Sequence, residues 1–409
     1  MRNLSNRLLV LAVLSCLLPA CGGSDSKGND KTLLIAVNAP FSKTPYVGET
    51  IAAGAELAAV NSVVNTEEGT YSFRIKRYDS GLSARTAVGN VRRALADGAV
   101  AIVDEGTGVN ASWRLAANEA RPLGITYQGG IDLVDPVERP NVFRIAPTDR
   151  GMAFRLAEYL IPKGLRIGLV VDDSSYGQEG SKALRQAFAV NEDSVAIRLT
   201  VPADSPDLAP EMLRARRAKA DALLVWGEPT TIAGVVAAAR GSGWSVPVYT
   251  PAAGEDPLVR QQLANHPNWV DGLTFAAGRP TAEVGSGPFL SFQRLYEERF
   301  GVQLVGVKTP DGAEVVQPPD YAMYSYDFVN VLVAAIESAG GVEDREKVLA
   351  AMNQVSVQGA NGDQRGFNEN NHEGVVDDDV YFARFEGMIY SPVKDDPLSA
   401  TLVQIEQRR

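Results

Sequence analysis

From residue 31 onward, short apolar runs rich in β-branched residues alternate with longer amphipathic segments, which predicts strands and helices in turn. Residues 33–37 read as a buried strand and 46–64 as an alanine-rich helix. Residues 71–78 alternate at period two, so one face of that strand is expected to be wet or edge-like. A helix over 84–97, a strand over 100–103, a helix over 109–121 and a strand over 124–127 follow. Repeated strand–helix units of this kind predict a parallel, doubly wound sheet.

The pattern then restarts. Helices are expected over 150–161, 175–190, 207–219 and 230–241, with strands over 165–171, 195–201, 222–225 and 246–249. Three further helices are predicted over 289–300, 321–339 and 345–353, and strands at Phe367 and over 380–385. The expected architecture is α/β: two lobes, then helices and a strand-rich end.

The N-terminus reads as an address. Arg2 and Arg7 precede an apolar run over 8–18, too short to span a bilayer but suited to a signal peptide. It ends in Leu18-Pro19-Ala20-Cys21, which resembles a bacterial lipobox, with lipidation expected at Cys21 after removal of residues 1–20. Val13-Leu14-Ser15-Cys16 competes, but cleavage there would leave apolar Leu17 and Leu18 on the tether; plain secretion with an incidental cysteine is the other alternative. Residues 21–30 are polar and glycine-rich, a flexible tether. No later stretch is long and apolar enough for a membrane span, so the expected place is the cell envelope, lipid-anchored on the periplasmic side.

Composition narrows the chemistry. With 39 Lys+Arg against 50 Asp+Glu in 409 residues, the net charge of −11 argues against a nucleic-acid partner. Two histidines leave little for a His-based metal site or a His-assisted nucleophile, and the only cysteines lie within the first twenty-one residues. No GxSxG, GxGxxG, Walker or HExxH pattern occurs in the mature chain. Asn368 to Gly374 faintly resembles a calcium loop but lacks its downstream glutamate, so a hairpin is expected there and a solvated turn at Asp377 to Asp379. No metal, cofactor or catalytic residue is expected.

Ordered landmarks carry a resemblance over nearly the whole mature chain. They are Tyr46-Val47-Gly48 after the first strand, Tyr78-Asp79, the passage from Asp97 to Val103, and Asp172-Asp173-Ser174-Ser175-Tyr176-Gly177. Val270-Asp271-Gly272, as a return strand, and Tyr321 to Asp327, in a late helix, complete the set. The chain resembles a type I periplasmic binding protein of the leucine/isoleucine/valine-binding group. The resemblance implies two Rossmann-like lobes joined by a three-segment hinge near Arg144-Ile145, Ala277-Gly278 and residues 354–366. It implies lobe 1 from 31–145 and 278–353, lobe 2 from 146–277 and 354–390, and a tail over 391–409.

In such a fold ligands bind beyond the carboxyl ends of the strands, where helix N-termini offer free N–H groups. The expected ligand-contacting residues are Tyr46, Thr107, Gly108, Asn110, Gln128 and Gly129 on lobe 1, and Tyr176, Glu228 and Glu255 on lobe 2. Each has a plainer alternative: Tyr46 and Tyr176 as surface caps, Thr107 as an N-cap, Glu228 as a solvated loop acid. Trp113, Trp226, Trp244 and Trp269 are expected to pack rather than stack on a ligand. The second lobe-1 loop, Gln128-Gly129-Gly130-Ile131, lacks the family's threonine, the lobe-2 acid is displaced to Glu255, and Glu228-Pro229 replaces an aromatic. A branched-chain amino acid is therefore not assured; Asp104, Glu105, Glu228 and Glu255 would form an acidic cleft suited to a cationic group.

The resemblance implies capture of a small polar solute, an amino acid or related compound, by hinge closure and delivery to the permease of an ABC importer, without covalent chemistry. The alternative is an envelope lipoprotein of the same fold acting through a protein partner, as a regulator of cell-wall synthesis or a sensory module.

Overall fold

The computed structural model describes residues 30–127, 129–278, 287–302, 304–308, 314–316, 320–375, 380–387 and 389–400. Cys16, Cys21, Gln128 and Asp377 to Asp379 lie outside them.

The first sheet is built from β1 (Lys31–Ala39), β2 (Val63–Thr66), β3 (Gly69–Asp79), β4 (Ala99–Asp104), β5 (Leu123–Ile125) and β6 (Val142–Arg144), in the order β2-β3-β1-β4-β5-β6. All neighbours are parallel except β2, which hairpins back onto β3. The helices between them are α1 (Pro45–Val60), α2 (Ala84–Ala96) and α3 (Val109–Ala117). The sequence reading ran α1 to residue 64; the chain instead turns at Asn61, and β2, not β3, is the edge. β3 lies inside the sheet, and its period-two alternation gives the wet face that was expected. β6, only three residues long, carries too little pattern to be anticipated.

The second sheet holds β7 (Ile167–Asp172), β8 (Val195–Val201), β9 (Ala222–Trp226), β10 (Val248–Thr250), β11 (Thr274–Gly278), β16 (Val380–Glu386) and β17 (Ile389–Pro392). Its order is β17-β16-β11-β10-β9-β7-β8, parallel except at β16 and β17. Its helices are α4 (Asp149–Leu160), α5 (Ser175–Ala187), α6 (Ala209–Arg217), α7 (Pro229–Gly241) and the short α8 (Pro257–Gln262). β7 and β9 are buried throughout, as expected for strands covered on both faces. The return strand expected at Val270 to Gly272 is a 3-10 turn, and the strand follows at β11.

The chain then supplies α9 (Gly287–Phe300), a small hairpin of β12 (Leu304–Lys308) and β13 (Glu314–Val316), α10 (Asp320–Ala339) and α11 (Arg345–Met352). A second hairpin, β14 (Ser356–Gln358) with β15 (Gln364–Gly366), closes onto α10, where Arg365 meets Asp327 at 3.3 Å with both side chains buried. α10 packs along α1, so this hairpin sits with the first sheet, not with lobe 2 as the sequence reading placed it. Phe367, expected in a strand, follows β15 directly. Of the stretch expected as a tail, residues 391–400 pack back: Asp396 pairs with Arg155 of α4 at 3.0 Å, and Asp395 with Lys163 at 2.6 Å.

Local signals start the helices. Ser83, Thr148, Ser174 and Asp344 accept the N–H groups of Thr86, Gly151, Gly177 and Lys347, and proline opens α1, α6, α7 and α8.

Candidate functional site

Each sheet has a point where the strand order reverses, and in open α/β sheets it is beyond the carboxyl ends at such a point that ligands bind. In the first sheet it lies between β1 and β4, at Asn38 and Asp104; in the second, between β7 and β9, at Asp172 and Trp226. The two edges meet. Glu179 Oε2 of α5 stands 3.0 Å from where a Cβ on Gly130 would lie, and Tyr46 of α1 is close enough to Arg260 of α8 to act on its charge.

The first edge is a closed network. Asn38 Nδ2 donates to Asp104 Oδ2 at 2.7 Å, Gly106 N–H to Oδ1 at 2.7 Å, and Asn90 Nδ2 to Asn38 Oδ1 at 2.7 Å. Glu105 Oε2 accepts from the Thr107 N–H at 3.0 Å and hydroxyl at 2.8 Å, while Oε1 accepts from Ser80 Oγ at 3.1 Å. Asp104 and Glu105 are 0% and 4% exposed. Burial pushes both carboxyls upward, and Asp104 adds to the shift of Glu105. Thr107 is thus neither an N-cap nor a free donor; Gly108 is the N-cap residue, with no side chain to bond. A Cβ on Gly108 would approach Ala87 Cβ to 2.3 Å, so this glycine allows α3 to cross close to α2. Asn110 is exposed in the first turn of α3.

The second lobe-1 loop is held from the hinge side. Arg144 Nη1 donates to the carbonyls of Gly129 at 2.9 Å and Gly130 at 3.0 Å, and the fully buried guanidinium grips Glu373 bidentately. Gly129, at φ +150°, takes a backbone conformation that L side chains rarely adopt. The 368–374 segment is a hairpin: Asn368 and Asn371 bridge, and Asn371 Oδ1 accepts the Glu373 N–H. Its glutamate is committed to Arg144.

On the second edge Asp172 organises two helix starts. Oδ1 accepts from the N–H and hydroxyl of Ser174, and Oδ2 accepts from Glu228 N–H at 2.7 Å and Thr231 Oγ1 at 2.9 Å. Glu228, half-buried, stands at the N-cap of α7 but its side chain caps nothing. Burial, with Asp172, Asp256 and Asp204 nearby, pushes it up to about 7. Tyr176 is half-buried in the first turn of α5, its ring 5.8 Å from that of Trp226, which is fully buried under the helix. Trp269 stacks on His266. Glu255 is turned inward, 0% exposed, with Oε1 accepting from Tyr390 hydroxyl at 2.8 Å.

The structure brings Tyr46, Thr107, Gly129, Tyr176 and Glu228 to the two facing edges, and corrects Gly108 to packing and Glu255 to an inward contact. The sequence reading missed Asp149, the first residue of α4. It is 2% exposed, neither carboxylate oxygen has a hydrogen-bond partner, and burial pushes it up to about 7. The Thr126 hydroxyl at the end of β5 is likewise buried without a partner. Among the described residues, no group of three or more His, Cys, Asp or Glu is placed to hold a metal ion, and no helix is long and apolar enough to cross a membrane.

No curated protein matches the chain. Several solved structures share its fold. The leucine binding protein LivK of Thermotoga maritima is 19% identical, with 88% of this chain and 97% of that one covered and a TM-score of 0.72. A type 1 periplasmic binding protein of Bordetella pertussis is 19% identical over 89% and 100% of the two chains, with a TM-score of 0.75. A solute binding protein of an ABC transporter from Rhodopseudomonas palustris, solved with 3,4-dihydroxybenzoic acid, is 17% identical over 88% and 95%, with a TM-score of 0.70. The profile described as periplasmic binding protein matches residues 33–388. With two facing lobes of this topology and a profile match over most of its length, the chain belongs to the periplasmic binding protein family.

Proposed function

We propose that this chain is the solute-binding component of an ABC importer, lipid-anchored through Cys21, that captures a small polar solute between its lobes and presents the closed form to a membrane permease. The observation that carries this reading is the pair of sheet switch points turned toward each other, with polar and aromatic side chains on both edges. Structural relatives include a leucine binding protein and a solute binding protein solved with an aromatic acid, so amino acids and aromatic acids both belong among the candidates. Contacts to both lobes exist only when the lobes are together, and that differential affinity draws the population toward closure. The crossovers at Arg144, at Gly278 and after Gly366 would act as the hinge. Capture of this kind makes and breaks no covalent bond.

A thermal-shift screen over amino acids, amides, short peptides, aromatic acids and polyamines tests the reading. A solute at about 100 times its dissociation constant is expected to stabilise the fold by about 2.7 kcal/mol. Tyr176→Ala is expected to abolish that gain, and small-angle scattering to show a more compact particle with the solute. A silent panel together with unchanged scattering would overturn solute capture and favour the protein-partner alternative, to be followed by a pull-down from envelope extracts.

A further inference from the structure

Resting on the solute-capture reading, we propose that the cleft takes a small organic cation bearing an ammonium or guanidinium group, and that Glu105 bars carboxylates from the first-lobe edge. The N-terminal end of a helix beside a sheet switch point ordinarily receives an anion, because its N–H groups and dipole favour negative charge. Just ahead of α3, before the N-cap Gly108, the chain already places a carboxylate of its own. The Glu105 carboxylate takes the Thr107 N–H, the Thr107 hydroxyl and the Ser80 hydroxyl, and it lies beside the buried Asp104. A solute carboxylate placed there would find the Thr107 and Ser80 donors occupied and two acids in front of it.

The uncommitted charge on the facing edge is negative. Acids at helix N-termini usually serve as caps, yet neither acid here does. Thr148 caps α4, leaving both oxygens of the buried Asp149 without a partner, and Glu228 caps no N–H of α7. The groups facing Asp149 are Glu179 and Arg144, whose guanidinium is spent on Glu373 and on the carbonyls of Gly129 and Gly130. Those facing Glu228 are Asp172, Asp256 and Asp204. The other buried cation on this side, Arg260, is set among Glu255, Asp256, Tyr46 and Tyr390, with Phe385 against its guanidinium. Asp104 and Glu255 are committed within the fold, whereas the carboxylates of Glu228 and Asp149 are not. Burying carboxylates without partners is costly, and a cation with several N–H donors relieves that cost where a neutral or anionic solute cannot.

Titration calorimetry of the full chain at pH 8 with 1,4-diaminobutane and agmatine, against leucine and 4-hydroxybenzoate, tests this. At least one cation is expected to bind, and Glu228→Gln and Asp149→Asn each to weaken it at least tenfold without lowering the melting temperature. Glu105→Ala is expected to raise affinity for one of the carboxylates at least tenfold; Glu105→Gln, which keeps an acceptor for Ser80, serves if the alanine variant does not fold. Silence toward both cations overturns the inference, as does cation binding indifferent to Glu228→Gln and Asp149→Asn. Carboxylate binding in that case leaves solute capture standing, whereas silence across the whole solute panel with unchanged scattering removes that reading as well.

Discussion

The two facing edges of the cleft solve the same problem differently. Both place a buried carboxylate at the switch point of a parallel sheet, Asp104 in one and Asp172 in the other. On the first edge every acid is absorbed: Asp104 by Asn38 and Gly106, Glu105 by Thr107 and Ser80. On the second, Asp172 is absorbed by Ser174, Glu228 and Thr231, while the Glu228 carboxylate caps nothing; at the crossover beside Gly129, Arg144 and Glu179, the Asp149 carboxylate has no hydrogen-bond donor. One edge is a finished structural joint and the other keeps unspent charge. Buried polar groups that are fully bonded rigidify a site, and those left unbonded are the ones a ligand can recognise.

That comparison breaks first at Asp172. Asp172→Ala removes one acceptor group for four donors and is expected to cost about 3 kcal/mol, read by chemical unfolding. A loss below about 1 kcal/mol would mean that Asp172 does not organise the α5 and α7 starts. Next comes Glu228→Gln, which weakens amine binding at least tenfold, or about 1.4 kcal/mol, with no loss of stability. An affinity that stayed level would place Glu228 outside the ligand shell.

Proton linkage sharpens the contrast with a smaller signal. Glu228 and Asp149 titrate near 7 in the folded chain, above the ordinary carboxylate range, so between about pH 4 and 7 the native state holds more protons than the unfolded one. Stability is therefore expected to fall as pH rises through that window, and Glu228→Gln to flatten the slope. Amine affinity runs the other way, rising from pH 5.5 to 8 as these groups ionise; a flat or falling profile would contradict the assignment. The smallest effect belongs to the Thr126 hydroxyl, buried without a partner. Thr126→Val is expected to be neutral or to stabilise by up to about 1 kcal/mol, while lowering solute affinity if the hydroxyl contacts the solute; calorimetry separates the two.

Much of the fold was legible because its signals are local. The apolar runs at 100–103, 165–171 and 222–225 read as buried strands and fall on β4, β7 and β9, and Ser83, Thr148 and Ser174 cap the helices that follow them. Some short elements were not: β6 is three residues long, and β2 was hidden in the tail of an alanine-rich helix. The site was legible by position and not by role. The switch-point loops were located, but Thr107 looked like a ligand donor because nothing in the local sequence reveals that Glu105 folds back onto it across Ser80. Glu255 looked like a cleft acid because its partner Tyr390 lies 135 positions away. Asp149 carried the signal of a helix-start acid after Thr148, which is common and points to no ligand.

By itself, then, the sequence determined the alternation of strands and helices, the restart into a second lobe, the acidic charge, and a family resemblance that the profile match bears out. Periodicity, caps and composition act over a few residues, so they survive in one dimension. Only the tertiary structure decided which acids are spent and which are left, because that depends on what each carboxylate meets across the sheet. Asn38 reaches Asp104 from 66 positions away, Glu228 N–H reaches Asp172 from 56, and Arg144 reaches Glu373 from 229. A carboxylate's chemistry is set by the donors and dielectric around it, and those arrive from distant parts of the chain.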